Sequence, residues 1–139
     1  MIFLWIRLNL YAKGKYQMPI DISKDLKEIL NDYAIEVSKE VDKASDSTAK
    51  NITKDLKSSS PKKTGKYGRS WSKKEERGTV LNKNFVVYNK NHYRLTHLLE
   101  YGHATVNGGR VQARPHIKQA EERGIQFFEK EVRKMINGK

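Results

Sequence analysis

The chain has 139 residues, enough for a single domain with one modest core that hides about two-thirds of the surface its unfolded chain exposes. Its 28 Lys and Arg outnumber 16 Asp and Glu, and the net charge of +12 draws it toward nucleic acid or acidic protein surfaces. The absence of cysteine excludes disulfides, thiolate catalysis and Cys-bound zinc, and a mean hydropathy of −0.81 leaves a thin core that partners are expected to supplement.

Residues 1–11 are apolar, but they are too short for a membrane span and Arg7 interrupts them. They also lack the basic start and small-residue cleavage site of a signal peptide. Residues 1–17 are therefore read either as an apolar arm that docks on the core or a neighbour, or as a leader ahead of a translation start at Met18. A single domain is expected over residues 18–139.

From residue 22 to about 56 the pattern is helical. Leu26, Ile29, Leu30, Tyr33, Val37, Val41, Ala44, Thr48, Ile52 and Leu56 recur at steps of three and four and share one face. Asp21 or Ser23 suits the cap, and Asp25 and Glu28 suit the positive end of the helix dipole. So long a helix either kinks near Ser45, Asp46 and Ser47 or protrudes. Its later half is built from Ala, Thr and Ile, and is expected to be the more loosely held. Pro61 stops the helix after Ser58, Ser59 and Ser60.

Lys62, Lys63, Thr64, Gly65 and Lys66 form a basic loop. Residues 67–74 predict a strand with Tyr67, Arg69 and Trp71 on one side and Gly68, Ser70 and Ser72 on the other. A turn at residues 75–78 leads to a short strand at Thr79, Val80 and Leu81. After turn chemistry at Asn82, Lys83 and Asn84, residues 85–89 read as the best strand of the chain. Residues 93–101 predict a short helix that Gly102 ends. Residues 103–112 read as a loop, Ala113, Arg114 and Pro115 as an extended stop, and residues 116–136 as a last helix. The expected fold class is α+β: a long N-terminal amphipathic helix, a small antiparallel β-sheet (a meander), and a short helix and C-terminal helix packed on the sheet.

No constellation of chemistry-bearing residues stands out. Gly65 and Lys66 are followed by Tyr67, whereas a phosphate-binding loop needs Ser or Thr there and an earlier glycine. His97, His103 and His116 do not share the i, i+4 spacing of a helix-borne zinc pair, so no metal and no cofactor are expected. His97 and Glu100 are three apart on a helix and can meet, but one helical turn supplies no substrate pocket. Glu100 between Leu99 and Tyr101 is expected to be partly buried, with Arg114 as its partner in a bidentate pair. Trp5, Tyr67 and Trp71 beside lysines are consistent with base stacking, though packing explains them better.

Three segments in order carry a resemblance. They are a long amphipathic helix ending in Ser59, Ser60, Pro61, Lys62, Lys63, Thr64 and Gly65, with Ser70 beyond; Leu98, Leu99, Glu100, Tyr101, Gly102 and His103; and Ala113, Arg114, Pro115, His116 and Ile117 before a terminal helix. Together they resemble the minor tail-component family of tailed bacteriophages of the Hong Kong 97 type, also called tail-completion or neck proteins. The resemblance covers about residues 22–136.

It implies a non-enzymatic structural protein of the virion that forms a ring at the head–tail junction after assembly in the host cytoplasm. Its implied partners are further copies of itself, the head connector, and the tail tube or tail terminator proteins, with no membrane. Genomic DNA passing through the channel is a further, non-specific contact. The residues then assigned to assembly are Lys62, Lys63, Thr64, Gly65, Ser70, Glu100, Tyr101, Gly102, His103, Arg110, Arg114 and Pro115. A small basic nucleic-acid-binding protein is the alternative, but no helix-turn-helix, zinc finger or RNA-binding signature supports it. A toxin-like ribonuclease would rest on His92, Arg94, His97 and Glu100 alone.

Overall fold

The computed structural model describes residues 22–76, 78–79 and 82–138. The expectations for residues 1–17, for Met18 and for a strand through Val80 and Leu81 lie outside them. The elements in chain order are α1 (Ile22–Ser59), α2 (Lys66–Arg69), β1 (Trp71–Glu76), β2 (Asn84–Asn89), α3 (Tyr93–Tyr101), β3 (His103–Ala104), β4 (Arg110–Val111) and α4 (Ile117–Asn137). The α+β class is as expected, and helix dominates it.

α1 has 38 residues and runs unbroken through Ser45, Asp46 and Ser47, a rod about 57 Å long at 1.5 Å per residue. At its end Ser60 satisfies the carbonyl of Leu56 twice, through its backbone N–H (3.1 Å) and its Oγ (2.5 Å). Pro61 then prevents another turn.

The expected distribution of burial along α1 is corrected. Ala44, Thr48, Ala49, Thr53 and Leu56, in the half with the weaker apolar stripe, are the buried residues. Ile22, Leu26, Ile29, Leu30, Tyr33 and Val37, in the more apolar half, are each 42–70% exposed. The physical reason is close approach. Ala and Thr keep the later half thin, so neighbouring elements reach its backbone, and Thr48 and Thr53 hide their hydroxyls on the carbonyls of Ala44 (2.8 Å) and Ala49 (2.7 Å).

α4 packs antiparallel on that later half. Arg123 meets Asp55 at 2.7 Å, and further along Phe128 faces the groove lined by Ser45, Thr48, Ala49 and Ile52. Gly124 permits this approach, because a Cβ there would lie 2.4 Å from the Ile52 side chain. β1 and β2 form an antiparallel hairpin with Trp71 opposite Asn89 and Glu76 opposite Asn84. The hairpin is fastened across α1 by Lys73 on Asp46 and by the Lys83 N–H on the Asp42 carboxylate (2.9 Å). Lys50 also reaches Asp46 (2.6 Å), and these two lysines hold the Asp46 carboxyl below the usual carboxylate range.

Every larger element meets in one small core. Leu56 of α1, Tyr67 of α2, Trp71 of β1 and Ala120 of α4 form its centre, with Ile52, Val87, Leu99 and Ile117 around them. The C-terminal helix thus touches the hairpin through this cluster, while its main neighbour is α1. No large side chain among the described residues is completely removed from solvent, which agrees with the thin core expected from composition.

Two local expectations change. Residues 67–70 are not strand: α2 is a helical turn, and the strand begins at Trp71. The i, i+4 spacing of a helical turn lets Tyr67 and Trp71 both face the core while Arg69 faces out, which alternation could not do with Gly68 and Ser70 also buried. The predicted loop at 103–112 contains a second ladder, β3 with β4, closed by the Thr105 N–H on the Gly109 carbonyl (2.8 Å). The small sheet is therefore two separate two-stranded hairpins.

Candidate functional site

Glu100 lies near the end of α3 and is 6% exposed. Its carboxylate accepts three backbone N–H bonds from the start of α4: His116 (2.9 Å) and Ile117 (2.9 Å) on Oε2, and Lys118 (3.0 Å) on Oε1. The first turn of a helix has no internal partners for these donors, and its positive end favours an anion. His116 precedes α4 without capping it through its own side chain, so the cap comes from another element. Burial pushes the Glu100 carboxyl up, but the three N–H donors and neighbouring His116 outweigh it and leave it below the usual carboxylate range.

The expected Glu100–Arg114 side-chain pair is not formed. Arg114 is exposed, and it joins α3 through its backbone N–H on the Leu99 carbonyl at 2.7 Å. A carboxylate already holding three backbone donors has little capacity left for a guanidinium. His97, the other partner considered, is exposed.

Behind Glu100 a chain of buried polar groups extends to the hairpin. His116 Nδ1 lies 2.8 Å from the Arg114 carbonyl and 3.3 Å from Glu100 Oε2. Both oxygens only accept, so this nitrogen carries a proton, and Nε2 lies 3.0 Å from the Tyr67 hydroxyl. Burial, followed by the charge on Glu100, pushes the Tyr67 hydroxyl up to about 12.

Trp71 donates its indole N–H to Ser60 Oγ (2.9 Å). Asn89 donates to the Tyr67 carbonyl (3.1 Å) and accepts the His92 N–H (2.8 Å). Ser70 Oγ lies 2.7 Å from Asn89 Oδ1 and 2.8 Å from the Tyr67 carbonyl, so its one proton serves a single acceptor at a time. These bonds tie α3 and the start of α4 to α2 and β2, while the Trp71–Ser60 bond separately ties β1 to the end of α1. The network is suited to fixing the relative orientation of these elements.

The twelve residues assigned to assembly therefore separate. Ser70 and Glu100 act inside the fold. Gly102 makes the tight exit from α3: its φ is 72°, and a Cβ would lie 2.5 Å from the Val111 carbonyl oxygen. His103 is half buried, and its Nδ1 is a buried side-chain atom without a partner among the described residues. Gly65 is half buried in the loop after α1. Lys62, Lys63, Thr64, Tyr101, Arg110, Arg114 and Pro115 are on the surface.

Among the described residues no three His, Asp or Glu side chains are placed to hold a metal ion. No described helix is long and apolar enough to cross a membrane.

Sequence reasoning missed Asn89 and Ser60, whose only signal was a polar residue beside a turn. It also took the later half of α1 to be the loosely held one, whereas the exposed apolar face lies over residues 22–37. That face follows α1 about 24 Å along its projecting end.

No curated protein and no solved structure shows significant similarity to the chain. The family described as "Bacteriophage HK97-gp10, putative tail-component" matches residues 22–102, from the first turn of α1 to the glycine that closes α3. With more than half of its length matched there, the chain belongs to this family of bacteriophage tail components.

Proposed function

We propose that the protein is a non-catalytic building block of the virion neck, assembling as a ring that joins the tail to the head connector. Membership of the tail-component family supports the virion role. The observation that carries the finer proposal is the projecting half of α1. It exposes six large apolar side chains on a domain whose own core is small. Contiguous apolar surface of that kind marks protein contact, and the thin core is consistent with stability shared between subunits.

The proposed partners are further copies of the chain, the head connector, and the tail tube or tail terminator proteins. The basic remainder of the domain supports non-specific contact with DNA in the channel of the ring: residues 44–139 carry 21 Lys and Arg against nine Asp and Glu.

Electron microscopy of lysates from phage with an early stop codon in this gene tests the proposal. DNA-filled heads beside separate tails are the expected outcome. Normal infectious particles would overturn it and favour the nucleic-acid-binding alternative. That alternative predicts DNA affinity that collapses steeply with salt.

A further inference from the structure

The projecting half of α1 is chemically unlike the rest of the chain. Residues 22–37 hold two Lys against four Asp and Glu, within a protein of net charge +12. The acidic groups are not scattered. Asp25, Glu28, Asp32 and Glu36 recur at steps of three and four, which places them in one row along the helix. Leu26, Ile29, Leu30, Tyr33 and Val37 recur likewise, one position on, so the acidic row edges the apolar stripe. A surface that fits must be apolar with a basic border.

The chain carries such a surface at the other end of its body. Between Lys90 and Arg114 the charged residues are Lys90, Arg94, Glu100, Arg110 and Arg114. Glu100 is buried in the cap of α4, so every exposed charge of the segment is positive. The same segment exposes Tyr93, Leu95, Tyr101 and Val111. The two surfaces cannot meet within one molecule. Residues 22–37 are the end of α1 away from its buried residues, whereas α3 joins the core through Leu99 and caps the start of α4 through Glu100.

We infer that residues 22–37 of one copy dock on the α3 and β3–β4 face of a second copy, head to tail. Unlike surfaces in contact make a heterologous interface, which closes into a ring when the rotation between neighbours permits. The inference rests on the proposed self-assembly and specifies its contact. Opposite charge sets the orientation and the apolar stripe supplies the buried area.

Reciprocal charge reversal with the full-length chain tests this, read by light scattering at tens of micromolar protein and by circular dichroism. One variant carries Asp25→Lys, Glu28→Lys and Asp32→Lys, and the other Arg94→Glu, Arg110→Glu and Arg114→Glu. All six side chains are exposed, so both variants are expected to keep wild-type helicity.

Wild type is expected to associate and each variant alone to stay monomeric. An equimolar mixture of the two should recover the wild-type mass, because each variant's α1 then meets an oppositely charged face. A chain beginning at Met18 should associate like wild type. Association that survives both reversals, a mixture that stays monomeric, or association lost with residues 1–17 would overturn this contact, while the stop-codon micrographs would still decide the neck role. A wild type that stays monomeric would also overturn it.

Discussion

Along α1, residues 22–37 present Ile22, Leu26, Ile29, Leu30, Tyr33 and Val37 and leave all six exposed, whereas residues 44–56 present Ala44, Thr48, Ala49, Thr53 and Leu56 and bury all five. The more hydrophobic half is outside and the less hydrophobic half is the centre of the fold. Amphipathic periodicity states that a face will be covered, but not by what. In the later half, small side chains let α4 and the hairpin come close, and at Gly124 even a Cβ would lie 2.4 Å from the Ile52 side chain. In the earlier half, large side chains extend beyond the elements packed on the rest of the helix. An apolar stripe with no cover among the described residues reads as prepared for another molecule.

Substitutions can break this contrast directly. Leu56→Ala removes a side chain 2% exposed at the centre of the core and is expected to cost about 3 kcal/mol, seen as a lowered midpoint in urea. If Leu56→Ala were neutral, the later half of α1 would not be the core. Glu100→Ala should cost about 2–3 kcal/mol, because three N–H donors at the start of α4 lose a charged acceptor. Thermal unfolding measures this, and Arg114→Ala beside it should be close to neutral.

The pH dependence sharpens the same point. The folded Glu100 carboxyl lies below its ordinary value of 4.5, so the native state holds the proton less tightly than the unfolded chain. Its stabilisation is complete above that value and is lost as pH falls through the folded one; in Glu100→Gln this part of the acid sensitivity should disappear. Tyr67 works in the opposite sense. Pushed up to about 12, it withdraws stability as pH rises above 10, where the unfolded phenol ionises first, and Tyr67→Phe should flatten that limb.

Leu30→Ala is the smallest expected effect on folding, within about 0.5 kcal/mol, because its side chain is 56% exposed. Its effect on self-association should be the larger one, measured as a fall in oligomer mass. A stability loss comparable to that of Leu56→Ala would show that residues 22–37 are covered within their own chain. Amide hydrogen exchange gives a finer measure, with faster exchange expected over residues 22–37 than over 44–56.

Much of the chain's organisation follows from its sequence. Pro61 and the serines before it end α1, the β-branched and aromatic run Phe85, Val86, Val87 and Tyr88 makes β2, and Gly102 closes α3. These are local effects of backbone geometry and side-chain periodicity, so local residues suffice to specify them. The ordered motifs also carried the family resemblance. Glu100 was legible as a buried carboxylate because it stands between Leu99 and Tyr101 before a glycine.

Its partner was not legible. The donors are backbone N–H groups of residues 116–118, which every sequence possesses and no residue type marks. The same limit explains Tyr67 in a helical turn, since its position answers to His116 forty-nine residues away. Which half of α1 is buried was likewise a tertiary decision, because it depends on where α4 and the hairpin lie. The sequence alone determined that α1 forms and which residues share its apolar face. Packing decided which part of that face became core and which part was left for a neighbour.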